Sequence, residues 1–388
     1  MRKSKAFRSS FSYAFILSEI VRMGSFSAFS KKYEDYITEF GQTLLRGVKD
    51  QVRDTDPDFY DVIKDYKFLK FLGAGSLGVV TLVESPSKVL YTFKHILPSI
   101  DIAKIDKDEK GIVNKIKNFN WTMASKKKHA VASHKLNRIR RSLIVQSKFR
   151  HHLQMKGLSM FLRIPDFLHL VEVPKFTVIQ EYIDGKNIYE YARDECKSVE
   201  ERIELIYGIV KGVEVCLHEW QIVHSDLKPD NILVTSDREI CLIDWDFVKN
   251  FNKPENFTVP GERVRNVFAH PECILDLGKR SYIHDVYMLG RIMWCCCIPR
   301  YPKTEEDFYE ILIPHEGLQK IYEKTENDGY KNIKEFRTDL EKLLPKESCK
   351  VDLAALECLD VPSKYQKQVQ LFINLLERIK SCYLEKLK

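Results

Sequence analysis

The chain has 388 residues, 44% hydrophobic and 30% charged, which is long enough for a large buried core and ordinary for a globular protein. No apolar run approaches the roughly 18 residues of a membrane-spanning helix. The ten cysteines show neither C-x-x-C spacing nor a histidine–cysteine pattern suited to zinc. These features disfavour transmembrane, zinc-module and disulfide-framework proteins and favour a reducing, cytoplasmic location. The basic, serine-rich N-terminus is typical of a disordered tail, with a mitochondrial transit peptide as the alternative.

The net charge of +7 is unevenly distributed along the chain. Fourteen lysines and arginines, and no acidic residue, lie between Glu109 and Asp166. The remainder carries 48 basic and 55 acidic residues. The positive charge is therefore local, which makes this interval a candidate anion-binding region.

Residues 1–63 form an N-terminal extension with two predicted helices, near 11–23 and 29–48. Apolar side chains recur at helical spacing in the second helix, so we expect it to pack on the domain that follows. The aspartate-rich stretch 54–58 is typical of a linker.

A glycine-rich motif lies between two strand-like runs. Gly73, Gly75, Gly78 and Val80 fit the pattern G-x-G-x-x-G-x-V. Glycines permit positive φ angles and let backbone N–H groups approach phosphate oxygens. Strand, and not helix, follows the glycines, which disfavours the dinucleotide-binding fingerprint. The next strand ends at Lys94, sixteen residues after Gly78.

A long amphipathic helix is predicted over about residues 129–157, and it contains no carboxylate. A strand follows over residues 176–185, and a second amphipathic helix over 199–219. Residues 222–247 then read as a hairpin, with β-branched runs on either side of the turn 235–237.

This hairpin would bring Asp226, Asn231 and Asp244 to one edge. Two carboxylates beside an asparagine suit Mg²⁺, a hard cation that prefers oxygen ligands. The pattern HxDLKPxN, followed thirteen residues after Asn231 by Asp244, resembles the catalytic loop and metal-binding segment of the protein-kinase superfamily. The glycine-rich motif and Lys94 precede it in the order that kinases have. Lysine two residues after Asp226 is more similar to Ser/Thr than to Tyr kinases.

The resemblance covers roughly residues 64–345. It implies an α+β, two-lobed fold with a small β-rich lobe over 64–183, including a basic αC region, and a larger helical lobe over 184–345. Residues 346–388 are predicted as a C-terminal helical extension. Ala269–Glu272 resembles the Ala-Pro-Glu segment with one residue inserted, and Asp285 resembles the acid of helix αF that anchors the catalytic-loop backbone.

The resemblance also implies site roles. Asp226 would accept the proton of the acceptor hydroxyl, Lys228 would steady the γ-phosphoryl group, and Lys94 would pair with the α- and β-phosphates of ATP. Asn231 and Asp244 would hold Mg²⁺ or Mn²⁺. The nucleotide would further contact the following residues: Gly73, Gly75, Gly78, Val80, Glu181, Ile183 and Asp184. Glu181 and Ile183 would offer backbone groups to adenine, and Asp184 would meet the ribose.

Three positions depart from the kinase pattern. The αC candidate has no glutamate for Lys94, so either Glu109 or a glutamine, Gln146 or Gln154, would take that place. Ser225 replaces the arginine that commonly precedes the catalytic aspartate, which disfavours regulation by phosphorylation of the activation loop. Asp246 replaces the glycine of Asp-Phe-Gly, and the resulting Asp-Trp-Asp is also similar to aminoglycoside and choline kinases.

The basic αC region prompts a regulatory hypothesis. A bound polyanion would relieve the repulsion among its like charges and would order the helix whose position activates kinases. Candidate ligands are an inositol polyphosphate, an anionic lipid headgroup, a phosphoprotein or a nucleic acid. Few aromatic residues are interleaved with the basic ones, so binding of a single-stranded nucleic acid by base stacking is less favoured. The candidate anion-binding residues are Lys126, Lys127, Lys128, Lys135, Arg138 and Arg141.

The sequence is thus identified as a divergent eukaryotic-like Ser/Thr protein kinase that acts on protein substrates. Such divergence is typical of viral kinases and of bacterial effectors that work in a host cytosol. Two alternatives remain open at this point. One is a phosphotransferase for a small molecule or lipid headgroup, and the other is a pseudokinase that binds nucleotide without turnover.

Overall fold

The computed structural model describes residues 34–74, 78–96, 126–158, 162–171, 176–250, 266–275, 280–298 and 300–345. The chain divides into two compact units, Met1–Glu341 and Lys342–Lys388, and the second contributes only residues 342–345 to the described part. The helices predicted near 11–23 and 363–386 lie outside the described residues. Among the described helices, none combines the length and apolar character needed to cross a membrane.

The first half of the described chain contains a five-stranded antiparallel sheet, ordered β1-β2-β3-β5-β4, and three helices. Their bounds are α1 Glu34–Thr55, α2 Pro57–Ile63, β1 Lys67–Ala74, β2 Gly78–Glu84, β3 Leu90–Ile96, α3 Lys126–Met155, β4 Phe167–Val171 and β5 Phe176–Glu181.

The second half is mainly helical. Its elements are β6 Gly185–Asn187, α4 Ile188–Asp194, α5 Val199–Cys216, β7 Ile222–Val223, β8 Ile232–Thr235, β9 Ile240–Leu242, β10 Lys249–Asn250, α6 Pro271–Leu275, α7 Tyr282–Cys297, α8 Asp307–Glu310, α9 Glu316–Glu326 and α10 Ile333–Glu341. Helix α7 is buried along nearly all of its length and forms the centre of this lobe. A β-rich small lobe followed by a helical large lobe confirms the predicted α+β, two-lobed fold.

The sheet of the small lobe is covered on both faces. One face packs against α1, where Leu45, Val48 and Val52 share a buried cluster with Phe93 and Ile179. The other face packs against α3 through a second, smaller cluster. Side chains alternate between the faces of a strand, so this double burial fixes the side of the sheet to which each residue of β3 points.

The aspartate-rich stretch predicted as a linker is instead a helix junction. Asp56 is the N-cap of α2, and its side chain accepts a hydrogen bond from the Phe59 N–H at 3.1 Å. Aspartate is a favoured N-cap because its carboxylate satisfies an N–H that the helix leaves unpaired. Lys49 on α1 donates to the carbonyls of Lys64 and Tyr66, at 2.6 and 2.8 Å, and ties the helix pair to the start of β1.

Candidate active site

Lys94 lies on the central strand of the small-lobe sheet. Its Cα is paired with Val80 on β2 and with Val178 on β5. Phe93 is buried in the cluster against α1, whereas Ile96 is buried in the cluster against α3. Because residues two apart share a strand face, Lys94 points to the α3 side of the sheet, toward the large lobe.

Two carboxylates receive the ammonium group of Lys94. Its Nζ lies 2.7 Å from Asp244 Oδ1 and 2.7 Å from Asp246 Oδ2. The side chains are 17%, 31% and 9% exposed, respectively. Burial alone would lower the pKa of Lys94, but the two carboxylates raise it above its ordinary value. Burial would raise the pKa of Asp244, but Lys94 and Lys228 hold it well below its usual range.

The prediction that Gln146 or Gln154 would be the αC partner of Lys94 was wrong for both residues. Gln146 is buried on α3, but its Nε2 donates to the Pro165 carbonyl at 3.1 Å. Gln154 is exposed to solvent. Glu109 lies outside the described residues. Among the described residues, the acids that contact Lys94 are Asp244 and Asp246, and Asp246 stands at the position that glycine occupies in most kinases.

Asp226 lies at the centre of a second polar cluster. Its Oδ2 accepts hydrogen bonds from Lys228 Nζ and Asn231 Nδ2, both at 3.0 Å, and its Oδ1 accepts one from Asn266 Nδ2 at 2.8 Å. The residue is only 3% exposed. Burial raises the pKa of Asp226, and the ammonium group of Lys228 offsets part of that rise. A buried carboxylate with a raised pKa is suited to accept a proton.

The two clusters are joined through the hairpin of β8 and β9. Asn231 closes a short 3₁₀ turn just before β8, and its carbonyl accepts a hydrogen bond from Ile243 N–H at 2.9 Å, next to Asp244. Both Nδ2 hydrogens of Asn231 are directed at Asp226, since the same atom donates to the Asp226 carbonyl at 2.8 Å and to Oδ2. The amide oxygen of Asn231 is thereby left for another partner, such as a cation.

Asp285 anchors the backbone that leads to Asp226, which is the structural role that the resemblance implied for it. This fully buried carboxylate accepts hydrogen bonds from the N–H groups of His224 and Ser225, at 2.9 and 3.0 Å. It also contacts His218 Nε2 at 3.2 Å. Ser225 has a φ of 69°, and Asp244 has a φ of 59°. Non-glycine residues rarely adopt this left-handed region, and such strain is concentrated at functional sites.

Trp245 is 2% exposed and fills the place of the usual phenylalanine. Its Nε1 donates to the Leu242 carbonyl at 2.9 Å. Its ring contacts Phe149 on α3 with a centroid distance of 6.2 Å, and His224 with a distance of 5.4 Å. Helix α3 is therefore connected to the Asp-Trp-Asp turn by aromatic packing.

The residues expected to contact adenine and ribose lie where the two lobes join. Glu181 ends β5, and its N–H donates to the Asp166 carbonyl at 2.8 Å. Among the described residues, the Ile183 N–H has no partner. Asp184 is exposed and is contacted by the Tyr182 hydroxyl at 3.4 Å.

The glycine-rich motif joins β1 and β2. Gly73 pairs with Val80, and a Cβ placed on Gly73 would meet no atom within 4 Å, so this position faces open space. Gly75 lies outside the described residues, and Gly78 begins β2.

The six candidate anion-binding residues fall within α3, but their side chains lie outside the described part of the structure. Of the other basic residues in the interval, Lys148 and Lys156 are exposed. Arg150 pairs with Asp166 at 3.1 Å, and Arg163 pairs with Glu181.

The Ala269–Glu272 segment forms a histidine cluster with α7. The rings of His270 and His284 stack with centroids 4.4 Å apart. The Nδ1 atoms accept hydrogen bonds from the N–H groups of Glu272 and Ser281, at 3.2 and 3.1 Å. Each Nε2 therefore carries the proton and faces a carboxylate, that of Asp328 or Glu272. The three side chains His270, Glu272 and His284 lie close enough to hold a metal ion. Both nitrogens of each ring are already occupied by these contacts, so we interpret the cluster as structural packing between the segment and α7.

Sequence reasoning missed two residues that shape the site. Asn266 lies 40 residues from Asp226, and its Oδ1 also accepts a hydrogen bond from Phe268 N–H at 2.9 Å. Arg291 is fully buried on α7, where it binds Glu326 and donates to the Val267 carbonyl, next to Asn266. The signal that could have found Asn266 is its position three residues before the Ala269–Glu272 segment.

Comparison with known proteins agrees with this geometry. The sequence profile of the protein kinase domain matches residues 107–354, which is more than half of the chain. Among curated proteins from Arabidopsis thaliana, Serine/threonine-protein kinase GRIK2 is 26% identical over 170 residues, or 40% of this chain and 41% of that protein. Serine/threonine-protein kinase GRIK1 is 23% identical over 273 residues, or 67% of this chain and 59% of that protein. The matches thus span about 40 to 60% of the length of these two relatives.

Proposed function

Because the chain belongs to the protein kinase family, we propose that it transfers the γ-phosphoryl group of ATP to serine or threonine hydroxyls of protein substrates. The observation that carries this proposal is the cluster of Asp226, Lys228 and Asn231 beside Asp244 and Lys94. The printed names of the matched relatives, and lysine two residues after Asp226, favour serine and threonine as acceptors.

Asp226 is proposed as the base. It would orient the acceptor hydroxyl and take its proton as the oxygen attacks the γ-phosphorus, and the bond to the β-phosphate oxygen breaks with ADP as leaving group. Lys228, held 3.0 Å from Asp226, would stabilise the negative charge on the transferring group. Asn266 would keep Asp226 oriented from the opposite oxygen.

Asn231 and Asp244 are proposed to hold Mg²⁺ or Mn²⁺. The donor set fits, because the amide oxygen of Asn231 is left over by its other bonds and Asp244 offers carboxylate oxygens held at low pKa. The cation would neutralise charge on the β- and γ-phosphates.

The nucleotide is proposed to lie between the two lobes. Lys94 would contact the α- and β-phosphates, and Val80, on the neighbouring strand, would cover the adenine ring. The Glu181 carbonyl and the Ile183 N–H would read the adenine edge, and Asp184 would bind the ribose. Gly73, Gly75 and Gly78 would let the backbone approach the phosphates.

We propose on charge alone that the basic interval between Glu109 and Asp166 binds a polyanion, and that this raises activity. An inositol polyphosphate is the compact form of such a ligand. Titration of phosphotransfer with inositol hexakisphosphate tests the idea. Replacement of Lys126, Lys127 and Lys128 by glutamine should abolish any stimulation, whereas Lys331→Gln, on an exposed part of the large lobe, should leave it unchanged.

An acceptor screen tests the proposed function. The purified protein, labelled ATP and Mg²⁺ or Mn²⁺ are incubated with serine, threonine and tyrosine peptides, with lipid headgroups and with small hydroxyl metabolites. Transfer to serine or threonine peptides, lost in Asp226→Asn and retained in the exposed-site control Asp237→Asn, supports the proposal. Transfer confined to a metabolite would replace it with a small-molecule kinase, which Asp244-Trp245-Asp246 would then explain. Nucleotide binding without any transfer would indicate a pseudokinase.

We propose that the reaction takes place in the cytoplasm, because the cysteine pattern favours a reducing compartment.

A further inference from the structure

Within the described part of the chain, the acids that contact Lys94 come from a turn of the large lobe and not from helix α3. The Asp-Trp-Asp turn brings Asp244 and Asp246 to within 2.7 Å of Lys94 Nζ from positions 150 and 152 residues away in the sequence. Helix α3 contains no acidic residue over Lys126–Met155. The buried side chain of Gln146, which was predicted as a neutral partner of Lys94, instead donates a hydrogen bond to the Pro165 carbonyl.

The two carboxylates have different proposed roles when nucleotide is bound. Asp244 is the proposed metal ligand, so its carboxylate oxygens would be shared between the cation and Lys94. Asp246 has no such second role in the proposal, and it is the more deeply buried of the two, with its side chain 9% exposed against 31% for Asp244. Asp246 can therefore keep its contact with Lys94, and fix the direction of the ammonium group, while Lys94 meets the phosphates.

We propose that Asp246 is the positioning residue for Lys94, and that it supplies from the Asp-Trp-Asp turn the ion pair that an acid on α3 would otherwise supply. This inference rests on the proposed function. It follows that the Lys94 ion pair forms whenever the turn is folded. Helix α3 contributes through the Phe149–Trp245 packing that supports the turn, and not through a charge.

A positioning residue and a second metal ligand can be distinguished by experiment. A residue that positions Lys94 affects nucleotide binding through Lys94, with or without metal, so its effect disappears when Lys94 is replaced. A second metal ligand affects nucleotide binding only when metal is present, whether or not Lys94 is there. A double-mutant cycle of nucleotide affinity in metal-free protein therefore distinguishes the two roles.

The test compares wild type with Asp246→Asn, Asp246→Gly and the exposed-site control Asp237→Asn. Affinity for ATP is measured by equilibrium binding without metal, for each variant alone and in the Lys94→Met background. Asp246→Asn should weaken metal-free binding about tenfold where Lys94 is present, because the ammonium group is no longer held toward the phosphates. The control should bind ATP as wild type does.

Kinetics supply the second readout. Loss of a hydrogen bond to a charged group should reduce kcat/KM for ATP about ten- to hundredfold in both Asp246 variants. In the background of Lys94→Met, Asp246→Asn should have little further effect on nucleotide affinity, because the two residues act as a pair. Asp246→Gly restores the residue that most kinases have in this turn, so it provides a folded variant if Asp246→Asn lowers the melting temperature.

Unchanged metal-free ATP affinity in both Asp246 variants would overturn the proposal. So would an effect of Asp246→Asn that is equally large in the Lys94→Met background, or one that appears only as a changed metal requirement. If the wild-type protein transfers no phosphate, the proposed function fails, while the metal-free binding cycle still decides the role of Asp246.

Discussion

The contact between Asn266 and Asp226 gives a prediction for the pH dependence of activity. Asp226 has three side-chain donors among the described residues, and Asn266 is the one that serves Oδ1, at 2.8 Å. The carboxylate is 3% exposed, so solvent cannot fully replace a lost donor. In Asn266→Ala, the ionised form of Asp226 loses a hydrogen bond to a charged group, which contributes about 1.5–3 kcal/mol.

That loss corresponds to a roughly tenfold to hundredfold weaker preference for the ionised carboxylate. The sign follows from the base role: burial has already raised the pKa of Asp226, and removal of a donor raises it further. Since the ionised form accepts the proton, activity should be lost at a higher pH as the solution is acidified. The acid limb of kcat/KM, which reports the free enzyme, should move to higher pH.

The assay is kcat/KM for a serine peptide, measured across the acid limb of the pH profile. Asn266→Thr keeps a hydroxyl donor and should restore part of the acid limb. Asn327→Ala, which removes an exposed asparagine of the large lobe, should leave it unchanged. An Asn266→Ala profile that is lower at every pH, with an acid limb at the wild-type position, would refute the electrostatic role of Asn266.

Three further predictions concern stability. Leu45→Ala opens the cluster between α1 and the sheet and should lower the free energy of unfolding by about 2–5 kcal/mol, measured by urea denaturation against the exposed Arg46→Ala. Asp285→Ala leaves two buried N–H groups of the catalytic loop without an acceptor and should cost about 2–5 kcal/mol, read from thermal melting beside loss of activity. Arg291→Met leaves the buried Glu326 without its cation and should cost about 3–5 kcal/mol; a melting temperature equal to wild type would contradict this.

The hairpin within residues 222–247 could be predicted from sequence because its strands and polar residues are close together in the chain. Asp226, Asn231 and Asp244 lie within nineteen residues, on strands and turns whose pattern is plain, and the anchoring role of Asp285 followed from the same resemblance. The role of Asp246 could not be read in this way. Its partner, Lys94, is 152 residues away, and only the packing of the lobes shows that both acids of the turn reach one ammonium group.

The remaining errors have physical causes of the same kind. Aspartate is common both in linkers and at helix N-caps, so the composition of residues 54–58 could not distinguish a linker from a helix start. In the structure, Asp56 caps a helix. A glutamine on the buried face of α3 looked suited to Lys94. Its hydrogen bond to Pro165 depends on a loop whose path the sequence does not specify.

The measurement that tests the central claim most directly is transfer of labelled γ-phosphate to a serine or threonine peptide by wild type and Asp226→Asn, with ATP affinity measured on the same samples. The account predicts phosphoserine or phosphothreonine from wild type, a loss of at least about a hundredfold in Asp226→Asn, and nearly unchanged ATP binding. Undiminished transfer by Asp226→Asn, or nucleotide binding by wild type without transfer to any protein acceptor, would contradict it.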